Sequence, residues 1–354
     1  MRALLALPMA FMLGCAARER PTLVAEDIAR FQPGTYERLD EAVESAGEGR
    51  LPAIALAVWR GDGIVFERYE GRRVPDDADS PRIGPDSLFD LASLTKPMAG
   101  VPLGVALAER GGSDVAGVLA HATSCEDAEL VPRLLEARSA TAIVEGTADC
   151  ALVASSYQYS NAAYARIGAE WGSLESAESA LKPAWIRCGA RSLTFRPDAD
   201  QAVVSGTDRR GEWLAGRPFD PLADWMLGLD RAPTHSGLFG TAPDVARFGG
   251  FVAAGGLAIL TRDVAERRDA ESGRNLWVTA GGLVSPTDPP FAAVNAQPGR
   301  FVMQTGYTGC LLWIDTRERT SVALLTNAAA MDARDEFDAL SERVVSIILQ
   351  GYER

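Results

Sequence analysis

The first part of the chain shows two spacings of apolar and polar residues, one typical of a helix and one typical of strands. Residues 35–47 (TYERLDEAVESAG) place Leu39 and Val43 at helical spacing, with acidic residues on the other face, which predicts a surface helix. The runs 53–59 (AIALAVW) and 64–71 (IVFERYEG) are rich in apolar and β-branched residues. Arg-Gly-Asp-Gly separates them, so this part of the pattern predicts a β-hairpin.

The second part of the chain changes from helical to strand character. Residues 97–230 are rich in alanine, leucine and glutamate, which predicts a mainly helical region. Strand-like runs return at 300–305, 310–315 and 320–327, divided by turn signals, and an amphipathic pattern over 335–350 predicts a final helix.

This order of elements predicts an α+β fold. One antiparallel sheet is built from both chain ends, flanked by the first and last helices, and a mainly helical subdomain is inserted between them. We expect a single domain over 25–354, with an α/β part at about 25–92 and 235–354 and a helical part at about 97–230. A cleft between the two parts is the expected substrate site.

Composition narrows the class of partner. A chain of 354 residues with 47% hydrophobic content can bury a large core. The formal net charge of −13 has no basic block to offset it, which argues against nucleic acid or an anionic membrane as partner. Small molecules, or cell-wall material such as a peptidoglycan peptide, fit better.

The N-terminus predicts export. Residues 1–20 have one basic residue, a short apolar run and then small residues, as signal peptides do. The apolar run 3–14 is too short to span a bilayer core of about 30 Å. Leu13-Gly14-Cys15 resembles the lipobox of bacterial lipoproteins, in which the cysteine carries lipid. A periplasmic protein and a membrane-anchored lipoprotein, lipidated at Cys15, both stay open.

Cysteine and histidine usage bears on disulfides and metals. Four cysteines follow position 15: Cys125, Cys150, Cys188 and Cys310. Export would permit disulfides, and the pair nearest in sequence is the first two, although buried free thiols are an equal alternative. There is no Cys-x-x-Cys, and His121 and His235 lie far apart, so we predict no metal and no cofactor.

The stretch 91–100 (LASLTKPMAG) contains the strongest chemical signal. Of the 35 basic residues 33 are arginine, and the two lysines are Lys96 and Lys182. Residues three apart share a helix face, so a helix that starts at Ser93 puts a hydroxyl beside an ammonium group. Pro97 supports that start, because proline is tolerated only in the first helical turn. Lysine, unlike arginine, can lose its proton in a desolvated site and act as a base.

The motif around Ser93 and others in the same order resemble one known family. LFDLASLTKP (88–97) is similar to the nucleophile motif of class C β-lactamase-like serine hydrolases, which include penicillin-binding DD-peptidases, D-aminopeptidases and esterases. Residues 159–161 (YSN) match the family's Tyr-x-Asn motif. HATS at 121–124 and HSGLFGTAPDVARFG at 235–249 resemble further family segments.

The third family motif is altered. The family usually has Lys-Thr-Gly or His-Thr-Gly on the strand that lines the site, whereas this chain has Gln304-Thr305-Gly306 and then Tyr307. Glutamine can donate a hydrogen bond but brings no positive charge. The resemblance implies that Thr305 lines the site wall and that Gly306 allows close approach.

The resemblance also implies a β-lactamase/transpeptidase-like fold and roles for the remaining residues. Ser93 would be the nucleophile that forms an acyl-enzyme, with Lys96 and Tyr159 sharing the proton transfers. Asn161 would orient the substrate, and the backbone N–H groups of Ser93 and Tyr307 would form the oxyanion hole.

Two functions are compatible with these motifs. The first is an exported serine hydrolase acting on an ester or amide as an esterase, D-amino-acid peptidase or β-lactamase-like enzyme. The alternative is a catalytically weak or inactive penicillin-binding-like protein that binds cell-wall peptides, a hypothesis motivated by Gln304. Each motif alone also has a structural explanation: Tyr159 as a half-buried aromatic residue, and Asn161 as a helix cap.

Overall fold

The computed structural model describes residues 31–112, 115–136, 139–288, 291–294 and 296–352, so the predicted signal segment 1–20 with Cys15 lies outside the described residues. The strands there are β1 Ala53–Arg60, β2 Gly63–Gly71, β3 Phe89–Asp90, β4 Ser156–Tyr157, β5 Phe239–Gly240, β6 Ala265–Asp269, β7 Asn275–Val278, β8 Phe301–Gly306, β9 Cys310–Asp315 and β10 Thr320–Thr326. The α-helices are α1 Thr35–Gly47, α2 Val101–Glu109, α3 Ala116–Leu119, α4 Asp127–Glu136, α5 Ala140–Gly146, α6 Asn161–Trp171, α7 Leu174–Cys188, α8 Pro221–Gly228, α9 Ala242–Ala253 and α10 Arg334–Gly351. Short helical turns lie at Ala92–Leu94, Lys96–Gly100, Ala258–Leu260, Phe291–Val294 and Ala328–Met331.

A five-stranded antiparallel sheet takes its strands from both ends of the chain. Its order is β2-β1-β10-β9-β8, and Leu56 of β1 faces Leu324 of β10 at the centre. The α+β fold class predicted from the sequence is confirmed, with the sheet flanked by the first and last helices.

Alternating side chains of the sheet pack into two hydrophobic cores, one on each face. Leu56 and Trp313 face α1 and α10, where they pack in one cluster with Leu39 and Phe337. The opposite face packs against α9 and the helical region in a second cluster. The period-two pattern of a strand sends successive side chains to opposite faces. The central strands β1, β10 and β9 are mainly apolar because both of their faces are covered, whereas the edge strand β2 carries charged residues.

A second, three-stranded sheet of order β4-β6-β7 was not predicted from the sequence. Strand β6 reads AERRD and alternates between half-buried and exposed positions. Its polar composition gives no apolar period, and β4 joins it by parallel pairing across more than a hundred residues. Such pairing leaves no local signal in the sequence.

Both alternatives considered for the cysteines, a disulfide and buried free thiols, occur in the structure. Cys125 and Cys150 form a disulfide with their Cα atoms 5.1 Å apart, whereas Cys188 and Cys310 are buried free thiols. Across the described ranges, the helices are all too short or too polar to cross a membrane. The same residues contain no cluster of three or more acidic, cysteine or histidine side chains suited to a metal ion.

Candidate active site

The turn that carries Ser93 differs from a regular helix start. Ala92–Leu94 form a 3₁₀ turn, and Ala92 adopts a left-handed conformation with φ of 44°. A wider π-helical turn over Lys96–Gly100 follows, and regular α-helix begins only at Val101. A non-glycine residue in the left-handed region stores strain, which proteins retain where surrounding contacts hold it and where function uses it.

Four polar groups surround the amine of Lys96, which is 1% exposed. Lys96 Nζ lies 3.2 Å from Ser93 Oγ, 2.7 Å from Tyr159 OH, 2.7 Å from Asn161 Oδ1 and 2.9 Å from the backbone oxygen of His235. The phenol of Tyr159 in turn donates to Ser93 Oγ at 2.6 Å. Two segments far apart in sequence therefore place the predicted nucleophile, amine and phenol in mutual hydrogen-bond contact.

The partners of Lys96 restrict where its protons can be. The amide oxygen of Asn161 and the carbonyl of His235 only accept hydrogen bonds, so they take two N–H groups. The remaining position on nitrogen faces Tyr159 and Ser93, whether it holds a proton or a lone pair. Once the phenol O–H turns from Ser93 to a neutral Lys96 amine, a proton can pass from Ser93 through the phenol to the amine with the heavy atoms in place.

His121 packs behind this cluster. Its ring stacks on Tyr159 with centroids 4.6 Å apart and lies 4.9 Å from the ring of Tyr164. Burial, and secondarily the charge of Lys96, lower the pKa of His121 well below its usual range. The imidazole is thus neutral, and its Nδ1 accepts the N–H of Ser160 at 3.4 Å. Its contacts position Tyr159 rather than supply a proton.

Asp127 holds the Tyr-x-Asn segment at the start of α6. Its carboxylate accepts Ser160 Oγ at 2.8 Å and the N–H groups of Asn161 at 2.7 Å and Ala162 at 3.0 Å. Ser160 Oγ also caps α6 by accepting the N–H of Ala163. Asp127 was missed in the sequence, because nothing local to residue 127 shows that it meets a helix more than thirty residues later.

Asp90 is a second carboxylate that the sequence did not single out. It is 3% exposed, and its side chain accepts the N–H groups of Ala92 at 2.9 Å and Phe219 at 2.8 Å. Its backbone oxygen accepts Thr308 Oγ1 at 2.7 Å. Burial raises the pKa of Asp90 to about 6, although the two N–H donors oppose the shift. Asp90 thus forms hydrogen bonds with three segments: the turn that carries Ser93, the backbone at Phe219 and the turn after β8.

The end of β8 lies against the nucleophile turn. A Cβ at Gly306 would lie 2.8 Å from the backbone oxygen of Leu91, so only glycine allows this approach. Gln304 turns its amide to the oxygen of Thr305 at 2.9 Å, and the side chain of Tyr307 is exposed. Strand β8 therefore lies against the Ser93 turn through Gly306, and it carries uncharged Gln304 at the position where the family usually has a cation.

Asp220 and His235 form an ion-pair-like contact beside Lys96. Asp220 Oδ1 lies 3.1 Å from His235 Nε2 and also caps α8 through the N–H of Ala223 at 2.8 Å. Burial disfavours the charged carboxylate, but the interaction with His235, the N–H of Ala223 and the charge of Lys96 together outweigh it and lower the pKa of Asp220 to about 2. The contact fixes His235, whose carbonyl accepts the Lys96 amine.

Comparison with known proteins places this site in context. The family model described as Beta-lactamase matches residues 39–345. Among solved structures, EstCE1, a hydrolase with promiscuous acyltransferase activity, is 18% identical over 88% of this chain and 98% of its own, with a TM-score of 0.65. No curated protein sequence matches significantly.

Two further solved structures share the fold. A family VIII carboxylesterase is 16% identical over 91% of this chain and 99% of its own, with a TM-score of 0.63. The D-amino acid amidase from Ochrobactrum anthropi SV3 is 15% identical over 89% of this chain and 97% of its own, with a TM-score of 0.58. At these identities the likeness concerns the fold.

Proposed function

The chain belongs to the Beta-lactamase family, and from that premise we propose that it is a serine hydrolase that forms an acyl-enzyme through Ser93 on an ester or amide. The observation that carries the proposal is the position of the Tyr159 phenol, 2.6 Å from Ser93 Oγ and 2.7 Å from Lys96 Nζ. A hydroxyl in direct contact with a phenol and a buried amine has a short path for its proton, as a serine nucleophile requires.

The proposed reaction uses this contact in both directions. Ser93 Oγ attacks the substrate carbonyl while its proton passes to the oxygen of Tyr159, and the phenol gives its own proton to the neutral amine of Lys96. The proton then goes to the leaving alcohol or amine, and a water molecule cleaves the acyl-enzyme by the same relay. The backbone N–H groups of Ser93 and Tyr307 would stabilise the oxyanion, and losing one such donor costs on the order of 3 kcal/mol.

Ester or amide substrates are favoured by two lines of support. The similar structures include a protein described as a carboxylesterase and one described as a D-amino acid amidase. Gln304 supplies no positive charge beside the Ser93 turn, which weakens the case for substrates recognised by a carboxylate. The same glutamine motivates the alternative, a binding protein for cell-wall peptides with little or no turnover.

We also propose export as part of this function. The N-terminal segment up to Cys15 supports it, and so does the disulfide Cys125–Cys150, because such bonds persist in oxidising compartments. Incorporation of a labelled fatty acid that is lost in Cys15→Ala would support a lipid anchor. Export without incorporation would leave a secreted protein.

The acyl-enzyme is tested with a fluorescent fluorophosphonate and with a fluorescent penicillin. Labelling of the wild type by the fluorophosphonate that vanishes in Ser93→Ala supports the hydrolase. If the wild type neither labels with the fluorophosphonate nor hydrolyses a generic ester, the hydrolase is overturned. Reversible penicillin binding would then favour the alternative.

The two lysines provide a matched pair for the proton relay. Lys96→Arg should lower the ester hydrolysis rate by about 10²-fold or more, because a guanidinium stays protonated and does not fit among four acceptors around one nitrogen. Lys182→Arg changes the exposed second lysine on α7 and should keep the rate. Equal rates in the two variants would remove Lys96 from the mechanism.

A further inference from the structure

An exposed aromatic side chain stands at the edge of the proposed active site. Tyr307 follows the last residue of β8 and is 69% exposed, an unusual degree for a large apolar ring. Its ring stacks on that of Phe219, with centroids 5.5 Å apart and the planes inclined by 20°. The hydrolase mechanism proposed above uses only the backbone of Tyr307, so the ring has no role in it.

Phe219 is a fixed support for this ring. Its N–H donates to the buried carboxylate of Asp90 at 2.8 Å. The edge of the phenyl ring lies against Gly206, where an added Cβ would come within 2.5 Å of two Phe219 ring carbons. The phenyl ring therefore contacts the backbone at Gly206 along one edge and the ring of Tyr307 on one face.

The backbone of Tyr307 is fixed in the same way. The turn after β8 is closed by the N–H of Gly309, which donates to the oxygen of Gly306 at 3.1 Å. Thr308 Oγ1 donates to the backbone oxygen of Asp90, whose carboxylate also accepts the N–H of Ala92, next to Ser93. Asp90 thus contacts the segments of both aromatic residues, Phe219 and Tyr307, as well as the turn that carries the nucleophile.

The polar groups beside the aromatic pair add little net charge to its surface. Gln304 is neutral and donates its amide to Thr305. Arg334, which reaches this strand, donates to the oxygen of Gly306 at 3.0 Å and pairs with Asp338 at 3.1 Å. A group that rests on the exposed part of Tyr307 therefore meets an aromatic ring whose charged neighbours Asp220 and Arg334 are each paired with another side chain.

We propose that Phe219 and Tyr307 form a stacking wall for an aryl group of the substrate, so that the site prefers uncharged aryl-bearing esters or amides. The inference rests on the proposed hydrolase function and narrows its substrate class. Ring stacking contributes beyond simple apolar burial, since aromatic pairs have a preferred offset geometry that a saturated ring lacks.

The test separates stacking from hydrophobic contact by pairing each phenyl ester with its cyclohexyl counterpart. Ethyl phenylacetate against ethyl cyclohexylacetate probes the acyl side, and benzyl butyrate against cyclohexylmethyl butyrate probes the alcohol side. The wild type should favour the phenyl member of at least one pair by about three- to tenfold in kcat/KM. The pair that shows the preference identifies which side of the substrate meets the wall.

Variants connect the preference to the two rings. Tyr307→Ser should bring the phenyl-to-cyclohexyl ratio close to one, whereas Tyr307→Phe keeps the ring and should keep the ratio. Phe219→Leu should lower the ratio by removing the support. Because the Tyr307 side chain is largely exposed, its replacement leaves the packed core unchanged.

The outcomes distinguish this inference from the function on which it rests. A ratio near one for both pairs in the wild type, or a ratio that Tyr307→Ser leaves unchanged, overturns the wall while Ser93 labelling and ester hydrolysis still stand. Absence of fluorophosphonate labelling and of hydrolysis with all four esters overturns the hydrolase and the wall together.

Discussion

A single buried residue, Asp90, contacts three segments: the nucleophile turn, the segment of Phe219 and the turn after β8. Its two oxygens accept the N–H groups of Ala92 and Phe219, and its backbone oxygen accepts Thr308. Burying a carboxylate is unfavourable unless donors compensate, and here two backbone donors do so only in part. Asp90 thereby holds the N–H of Ala92, the residue with a left-handed backbone directly before Ser93.

The raised pKa of Asp90 gives a pH prediction at the residue scale. A carboxyl whose pKa is raised from 3.8 to about 6 on folding contributes stability that is fully present below pH 4 and is lost as the pH rises through 6. The free energy of unfolding of the wild type, relative to Asp90→Asn, should therefore rise between pH 7 and pH 4, by at most on the order of 3 kcal/mol. Urea denaturation at several pH values measures the difference, and a difference constant across that range would contradict the prediction.

Activity should change in the opposite direction over the same pH range. A protonated Asp90 presents an O–H where one of the two backbone N–H groups needs an acceptor, so the nucleophile turn is held less firmly. Asp90→Asn has this defect at every pH. Its kcat/KM should be lower than that of the wild type at pH 7, and it should fall less steeply below pH 6.

At the scale of elements, the regular spacing of apolar residues determined which helices and strands the sequence could predict. Helix α1 covers the predicted residues 35–47, and β9 covers 310–315, because each has a continuous apolar pattern of its own. The polar strand β6 and the π-helical turn after Ser93 have no such pattern and were missed. Ser93, Lys96, Tyr159 and Asn161 were found through motif resemblance, whereas Asp90 and Asp127 act through contacts with distant segments.

Helix α6 supports a prediction about how an element positions a site. Asp127→Ala removes three hydrogen bonds at the start of α6, next to Tyr159 and Asn161. Loss of a helix cap costs about 0.5–2 kcal/mol of stability, and here the loosened start of the helix should also lower kcat/KM by about tenfold or more.

The neighbouring helix provides the matched control. Ser173→Ala removes the cap of α7, where Ser173 Oγ accepts the N–H of Ser176 at 3.2 Å. It should lower thermal stability to a similar extent and leave ester hydrolysis near the wild-type rate. Equal loss of activity in both variants would mean that Asp127 acts only through global stability.

At the scale of the whole molecule, one close helix–sheet contact joins the two layers that border the site. Helix α9 lies on β1, β9 and β10. It approaches through Gly249 and Gly250, which face Ser321 and the ring of Trp59. The segment before α9 contains His235, whose carbonyl accepts the Lys96 amine. The distance between helix and sheet thereby affects the position of the amine.

Gly249→Ala tests this contact, because its Cβ would lie 2.8 Å from Leu312 Cδ1 and would contact the buried hydroxyl of Ser321. Added atoms in a packed interface cost about 1–3 kcal/mol, so the free energy of unfolding should fall by that amount and ester hydrolysis with it. Gly228→Ala, at the end of α8 with nothing within 4 Å, is the control. It should raise stability by about 0.5–1 kcal/mol, since alanine is the better helix former. If Gly249→Ala unfolds at the same urea concentration as the wild type, close packing at Gly249 does not hold the two layers together.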